Sequence, residues 1–145
     1  LIIQTRHFGE IEIKDETIIN FPEGIPAFED FKQYVVIKNP DTENDFHWLQ
    51  CVDNSDLTFV VVNPFEIKED YDFEIPDRIV KQLQIEKYED VMILSIIVIP
   101  ENVEKITANL KAPVIINIHK KIGKQFVLED ERYPLKYYIF QEKKG

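Results

Sequence analysis

Three histidines, two serines and one cysteine are the side chains here best suited to bond-making chemistry. His7, His47 and His119 lack the i, i+4 spacing of a zinc helix, and a lone cysteine cannot build a thiolate cluster. Ser55 lies in DNSDL, a polar turn, and Ser95 interrupts the apolar run Val91–Ile99, where it is expected to bond to backbone. Neither serine sits in a G-x-S-x-G frame. The four glycines, Gly9, Gly24, Gly123 and Gly145, are too scattered for a phosphate-cradling loop. Glu29-Asp30 and Glu69-Asp70 could form two-carboxylate sites, but 27 acidic residues produce such pairs by chance. Nothing converges on an active site, a metal or a cofactor, so the chain reads as a non-enzyme. Cys51 follows Trp48-Leu49-Gln50 and reads as a buried, inert thiol in a reducing compartment.

Binding is therefore the chemistry to look for. With 17 basic and 27 acidic residues the formal charge is -10. Such a field repels nucleic-acid backbones and anionic lipids, and it favours a basic protein partner or simple solubility. LIIQTRHFGEIEI does not read as a signal peptide, and VMILSIIVI (Val91–Ile99) is too short to span a bilayer. A cytoplasmic protein without a membrane segment is expected.

The elements that must position a binding surface are mostly strands. Val, Ile, Phe and Tyr cluster in short runs between Gly, Pro, Asn and Asp. Strands are expected at Ile2–Thr5, Glu10–Ile13, Thr17–Asn20, Tyr34–Lys38, His47–Val52, Thr58–Asn63, Tyr71–Glu74, Val91–Ile99, Lys105–Leu110, Val114–His119, Gln125–Leu128 and Lys136–Phe140. TFVVVN and Val91–Ile99 are apolar at nearly every position and need cover on both faces. PDRIVKQLQI predicts a helix: Pro76 fits its first turn, and Ile79, Val80 and Leu83 share one stripe. Shorter helical turns are expected at Ala27–Phe31 and after Pro100. The reading is a mainly β fold, a strongly bent antiparallel barrel- or sandwich-like single domain over 1–145, with one or two short helices.

Three stretches are more ordered than composition requires. FPEGIPAFEDF (Phe21–Phe31) is a stiff turn whose Phe21, Ile25, Phe28 and Phe31 can staple it to the core. NPFEIKEDYDFEIP (Asn63–Pro76) alternates aromatic and acidic residues, and Pro64 should turn the chain outward. It is either an acidic rim with aromatic anchors or a solvated loop with its aromatics turned inward. TANLKAPVIIN (Thr107–Asn117) reads as a kinked corner, where Pro113 breaks the ladder and Asn109 and Asn117 bond the freed backbone.

These motifs, with WLQ (Trp48–Gln50), the strand ending in NPF (Thr58–Phe65), Asp70-Tyr71, ITANLKAPVIIN (Ile106–Asn117) and GKQ (Gly123–Gln125) followed by Tyr133, resemble the FliW family of flagellar assembly factors in order and spacing. One departure is Ala27, where the family usually has glycine; if that position needs positive φ, alanine costs on the order of 1 kcal/mol. The resemblance implies a non-enzymatic regulator with two protein partners. One is CsrA, a small homodimeric RNA-binding repressor of translation, antagonised allosterically away from its RNA surface. The other is flagellin, which competes with CsrA and so couples its own level to its translation. The alternatives are a flagellin chaperone without a translational role, or a β-barrel holding a small ligand in its mouth. The expected contacts are Phe65, Glu69, Asp70 and Tyr71 of the acidic-aromatic loop. A second candidate is the corner Asn109, Pro113 and Asn117, read as an edge open to strand addition.

Overall fold

The computed structural model describes residues 1–38 and 45–140. Among these the strands are β1 (Ile2–Thr5), β2 (Gly9–Glu12), β3 (Ile19–Asn20), β4 (Gln33–Ile37), β5 (His47–Cys51), β6 (Thr58–Val62), β7 (Val91–Val98), β8 (Thr107–Ala108), β9 (Val114–Asn117), β10 (Ile122–Gln125) and β11 (Tyr137–Tyr138). Two short helices are α1 (Pro64–Ile67) and α2 (Asp77–Gln82). β7, β6, β5, β4, β3, β10 and β9 pair in sequence, and β9 pairs back onto β7, so seven strands close into a barrel. All these pairings are antiparallel except β10 with β3, which meet in parallel at Ile122 and Asn20. β8 and β11 extend the far end of β7, and β1 with β2 forms a separate hairpin.

The all-apolar strands have the double cover they need. Tyr34, Leu49, Cys51, Val61, Leu94, Val114 and Ile116 come from successive staves and meet in one buried cluster, which fills the barrel. Their neighbours in sequence point the other way. Val62, Ile97 and Ile115 join Ile79 and Leu83 of α2 and the loop residues Tyr71, Leu110, Phe126, Leu128 and Tyr133 in a second cluster on the outer face. The interior is tight: a Cβ on Gly123 would lie 2.6 Å from the Phe21 ring. Cys51 is buried there, and burial raises its thiol pKa, as an inert thiol requires.

The motifs have local structural reasons. Trp48 points outward and supports the hairpin, its ring 5.0 Å from Phe8 and 6.0 Å from His7. Gln50 is buried; its Oε1 accepts from Arg6 N–H, and its amide nitrogen lies within bonding distance of the Asn54, Ser55 and Leu57 carbonyls. In the Phe21–Phe31 turn, Gly24 and Ala27 have φ of 68° and 75°. The Ala27 site does demand the left-handed region, as its departure from glycine suggested. Ala27 N–H donates to Glu29 Oε1, and backbone donors including this one hold that carboxyl below its usual range.

Several expectations need correction. Tyr71–Glu74 is not a strand: Asp72 N–H donates to the Tyr133 hydroxyl rather than to a neighbouring backbone. Asn63-Pro64 does not merely end β6; Asn63 Oδ1 accepts from Phe65 N–H, and Pro64 occupies the first turn of α1. Ala27–Phe31 makes successive turns instead of a helical one. Pro76 stands one position earlier than expected, as the N-cap of α2. The ladder expected at Gln125–Leu128 lies earlier, at Ile122–Gln125, while 126–128 follow the kinked corner through isolated bonds. Ser95 Oγ is buried with no hydrogen-bond partner among the described residues. Ser95 pairs with Val62 on one side, but on the β8–β9 side the backbone bulges away and its carbonyls are used elsewhere.

Candidate functional site

That bulge organises the candidate site. Ala108 pairs with Ile97, and Val114 with Leu94; Asn109 N–H still donates to the Ile96 carbonyl, and residues 110–113 leave the ladder between them. A buried bulge must satisfy its backbone by other means. Asn109 Oδ1 accepts from Lys111 N–H at 3.1 Å and Ala112 N–H at 2.9 Å. Leu110 N–H donates to the Pro134 carbonyl. The carbonyls of Leu110, Lys111, Ala112 and Pro113 accept from Tyr71 hydroxyl, Leu128 N–H, Gln125 side-chain amide and Phe126 N–H respectively. Every freed carbonyl of 110–113 is thus satisfied, and three segments, 71–73, 125–128 and 133–134, are drawn onto one corner.

Asn117 works the same way at the other end of β9. It is 1% exposed. Its amide donates to the Leu83 and Gln84 carbonyls at 2.8 and 3.0 Å, and its Oδ1 accepts from His119 and Lys120 N–H at 3.0 and 3.1 Å. Pro113 is buried as well. β9 is paired on both sides, with β10 and with β7, so the corner is not the open edge expected from its proline. Barrel closure consumed that edge. Asn109, Pro113 and Asn117 hold the backbone, and burial removes Pro113 and Asn117 from direct reach of a partner.

The acidic-aromatic loop divides by position. Tyr71 is 3% exposed, and its hydroxyl donates to Leu110 O at 2.7 Å. Its ring stands between Phe65, Phe73 and Tyr133, with centroids 5.6, 5.4 and 4.6 Å away. It stands as a buried post beneath the loop. Phe65, on α1, leans on that post and is 42% exposed. Glu69 and Asp70 are exposed beside it. Asp70 bonds Lys68 at 2.7 Å, and the lysine holds its carboxyl below the usual range. The structure therefore presents Phe65, Glu69 and Asp70 outward on a support made of Tyr71 and the asparagine corner. The two candidate groups, far apart in sequence, meet at the Tyr71–Leu110 bond.

Two clefts flank this support. One, of about 420 Å³, opens at a barrel mouth between Val36, Met92, Leu94 and Phe65. Glu66 lines it, and burial, then the charge of Asp45, push its carboxyl up. The other, of about 610 Å³, runs between Asp72–Arg78 and Phe126–Arg132 and had no counterpart in the sequence reading. Among the described residues, no group of three or more His, Cys, Asp or Glu side chains is placed to hold a metal, and no helix is long and apolar enough to cross a membrane.

Comparison with known proteins adds a consistent result. Residues 2–139 match the family model described as FliW protein. The chain is 52% identical over 140 residues to the flagellar assembly factor FliW of Caldicellulosiruptor saccharolyticus, covering 97% of this chain and 91% of that protein. It is 52% identical over 142 residues to the protein of the same name from Alkaliphilus metalliredigens, covering 98% and 88%. A crystal structure of the flagellar assembly factor FliW superposes with a TM-score of 0.91 at 37% identity, covering 99% of both chains.

Proposed function

Because the chain belongs to the FliW family, we propose that it is a cytoplasmic flagellar assembly factor that binds the RNA-binding repressor CsrA, antagonises it allosterically, and binds flagellin in competition. In this reading it works as a single unit over 1–145 without a cofactor, and flagellin level is coupled to flagellin translation. The observation that carries the reading is the match over nearly the whole chain to proteins named as flagellar assembly factors.

The charge supports the mechanism. A body of charge -10 docked beside an RNA surface lowers the potential that attracts phosphates without covering that surface. The effect extends roughly 10 Å at 0.1 M salt. Linkage makes it reciprocal: RNA weakens binding of this protein as much as this protein weakens RNA binding. Phe65, Glu69 and Asp70 are the proposed contact, an exposed aromatic beside acidic side chains. Tyr71, seated on the corner of Asn109 and Pro113, acts beneath them by holding the loop, while Asn117 fixes the far end of β9. The side chains that fill the barrel leave no room for a ligand inside it, so a small-ligand reading would have to use the cleft at the mouth.

The test is calorimetric titration into CsrA of the same organism, with and without a flagellin-leader RNA, then with flagellin as competitor. Binding with weakened RNA affinity supports the proposal. Absence of heat and unchanged RNA affinity would overturn CsrA antagonism, and flagellin binding alone would leave the chaperone reading. Glu69→Lys with Asp70→Lys should slow association at low salt while leaving the melting curve intact.

A further inference from the structure

We propose that residues 125–129 are a docking edge that takes an extended, basic segment of a partner protein as an added strand. The inference concerns a different surface from Phe65, Glu69 and Asp70 and does not depend on who the partner is.

The backbone carries the argument. Phe126 and Leu128 donate their N–H groups to Pro113 and Lys111, on the side of the kinked corner. In extended chain the intervening peptide groups face the opposite way. On that side β3 pairs with β10 only at Ile122, and the chain then departs into the Phe21–Phe31 turn. The backbone groups of Val127 and Glu129 accordingly have no hydrogen-bond partner among the described residues, and the Val127 side chain is exposed. An edge of this kind is a template for another strand unless it is blocked. No proline stands within 125–129, and Val127 and Glu129 are exposed.

The groove of about 610 Å³ beside this edge specifies the occupant. Phe73, Phe126 and Leu128 give it an apolar lining for alternate side chains of an added strand. Asp72, Glu74 and Glu129 line it too, and none makes an ion pair among the described residues. Its two basic residues are already engaged. The Arg132 guanidinium donates three bonds to the Asp130 carboxylate, at 2.7 to 3.1 Å, and the Arg78 guanidinium lies 5.6 Å from the Phe126 ring centre. The unspent charge is negative, as is the whole chain, so the complementary segment alternates apolar and basic residues.

The probe is an acetylated Lys-Val-Lys-Val-Lys-Val-Lys-Val peptide, compared with its Asp-Val counterpart, on the full chain. Fluorescence anisotropy at low salt gives affinity, and amide hydrogen exchange gives the place. The expected result is binding of the basic peptide only, slowed exchange at Val127 and Glu129, and at least tenfold weaker binding by Val127→Pro. That variant removes an N–H the fold does not use. Should Val127→Pro unfold the chain, exchange on the native protein together with Glu74→Lys/Glu129→Lys decides the matter. Absence of binding, equal binding of the acidic peptide, or binding without protection at Val127 and Glu129 would overturn the proposal.

Discussion

Replacing Asn117 separates holding a corner from touching a partner. In Asn117→Ala four hydrogen bonds vanish together, at 2.8 to 3.1 Å, from a side chain 1% exposed. The N–H groups of His119 and Lys120 belong to exposed residues and can recover water. The Leu83 carbonyl is buried against the amide and cannot. Taking about 1 kcal/mol per bond, more for the stranded carbonyl and less for the recoverable donors, the loss is roughly 2–4 kcal/mol. For a chain of this size that is roughly 5–15 °C in melting temperature. Asn117→Asp gives a sharper signature. It keeps the two acceptor bonds but sets a carboxylate against the Leu83 and Gln84 carbonyl oxygens. That environment penalises the charged form, so the new carboxyl has a raised folded pKa. Its contribution is present at low pH, when it is protonated and can donate, and is lost as pH rises through that pKa. Urea titrations from pH 4 to 8 should therefore show Asn117→Asp falling steadily behind wild type, while Asn117→Ala trails by a constant margin. A loss below about 0.5 kcal/mol in Asn117→Ala, or no pH trend in Asn117→Asp, would refute the argument.

Ala27→Gly relieves a left-handed alanine at φ 75°, which costs about 1–2 kcal/mol, against about 0.4–1 kcal/mol of extra unfolded-state freedom. Denaturant titration should show a gain of about 0.5–1 kcal/mol. Gly24→Ala in the same turn should lose roughly 2–5 kcal/mol, since its Cβ would lie 2.5 Å from Glu29 Cα at φ 68°. Glu66 has a raised carboxyl pKa, so its charged form opposes folding once pH passes that value; Glu66→Gln should raise the melting temperature at pH 7 and not below pH 4. Asp90 behaves oppositely: burial alone would raise its pKa, but N–H donors of Glu86 and Lys87, with His119, outweigh burial and hold it below the usual carboxylate range. Its stabilisation is present above the unfolded pKa and lost as pH falls through the folded one, so the gap in thermal stability between wild type and Asp90→Asn should narrow as pH is lowered into the acid range.

The strand-rich character was legible because apolar alternation and turn residues are local signals, and β1 was readable to the residue at Ile2–Thr5. α1 was not, since four residues are too few to display a helical period. Tyr71–Glu74 imitates strand alternation because Tyr71 and Phe73 insert into the outer core while the acidic residues between and after them face water. At the candidate site, Phe65, Glu69 and Asp70 are expected from the alternation of aromatic and acidic residues in Asn63–Pro76, and the structure leaves all three exposed. That Tyr71 stands beneath them could not be read there, because its hydroxyl partner lies 39 residues away.

By itself the sequence determined the kind of elements, the acidic charge, the strained Ala27 turn and the bonding role of the two asparagines. Those follow from side-chain shape, charge and near-neighbour backbone. The tertiary structure decided which edges survive. Pairing β9 with β7 closed the barrel and buried Asn117, and the single parallel contact of β10 with β3 left one side of 126–129 without a partner strand among the described residues. Whether a backbone group is satisfied depends on which distant strand arrives beside it, and no local pattern encodes that.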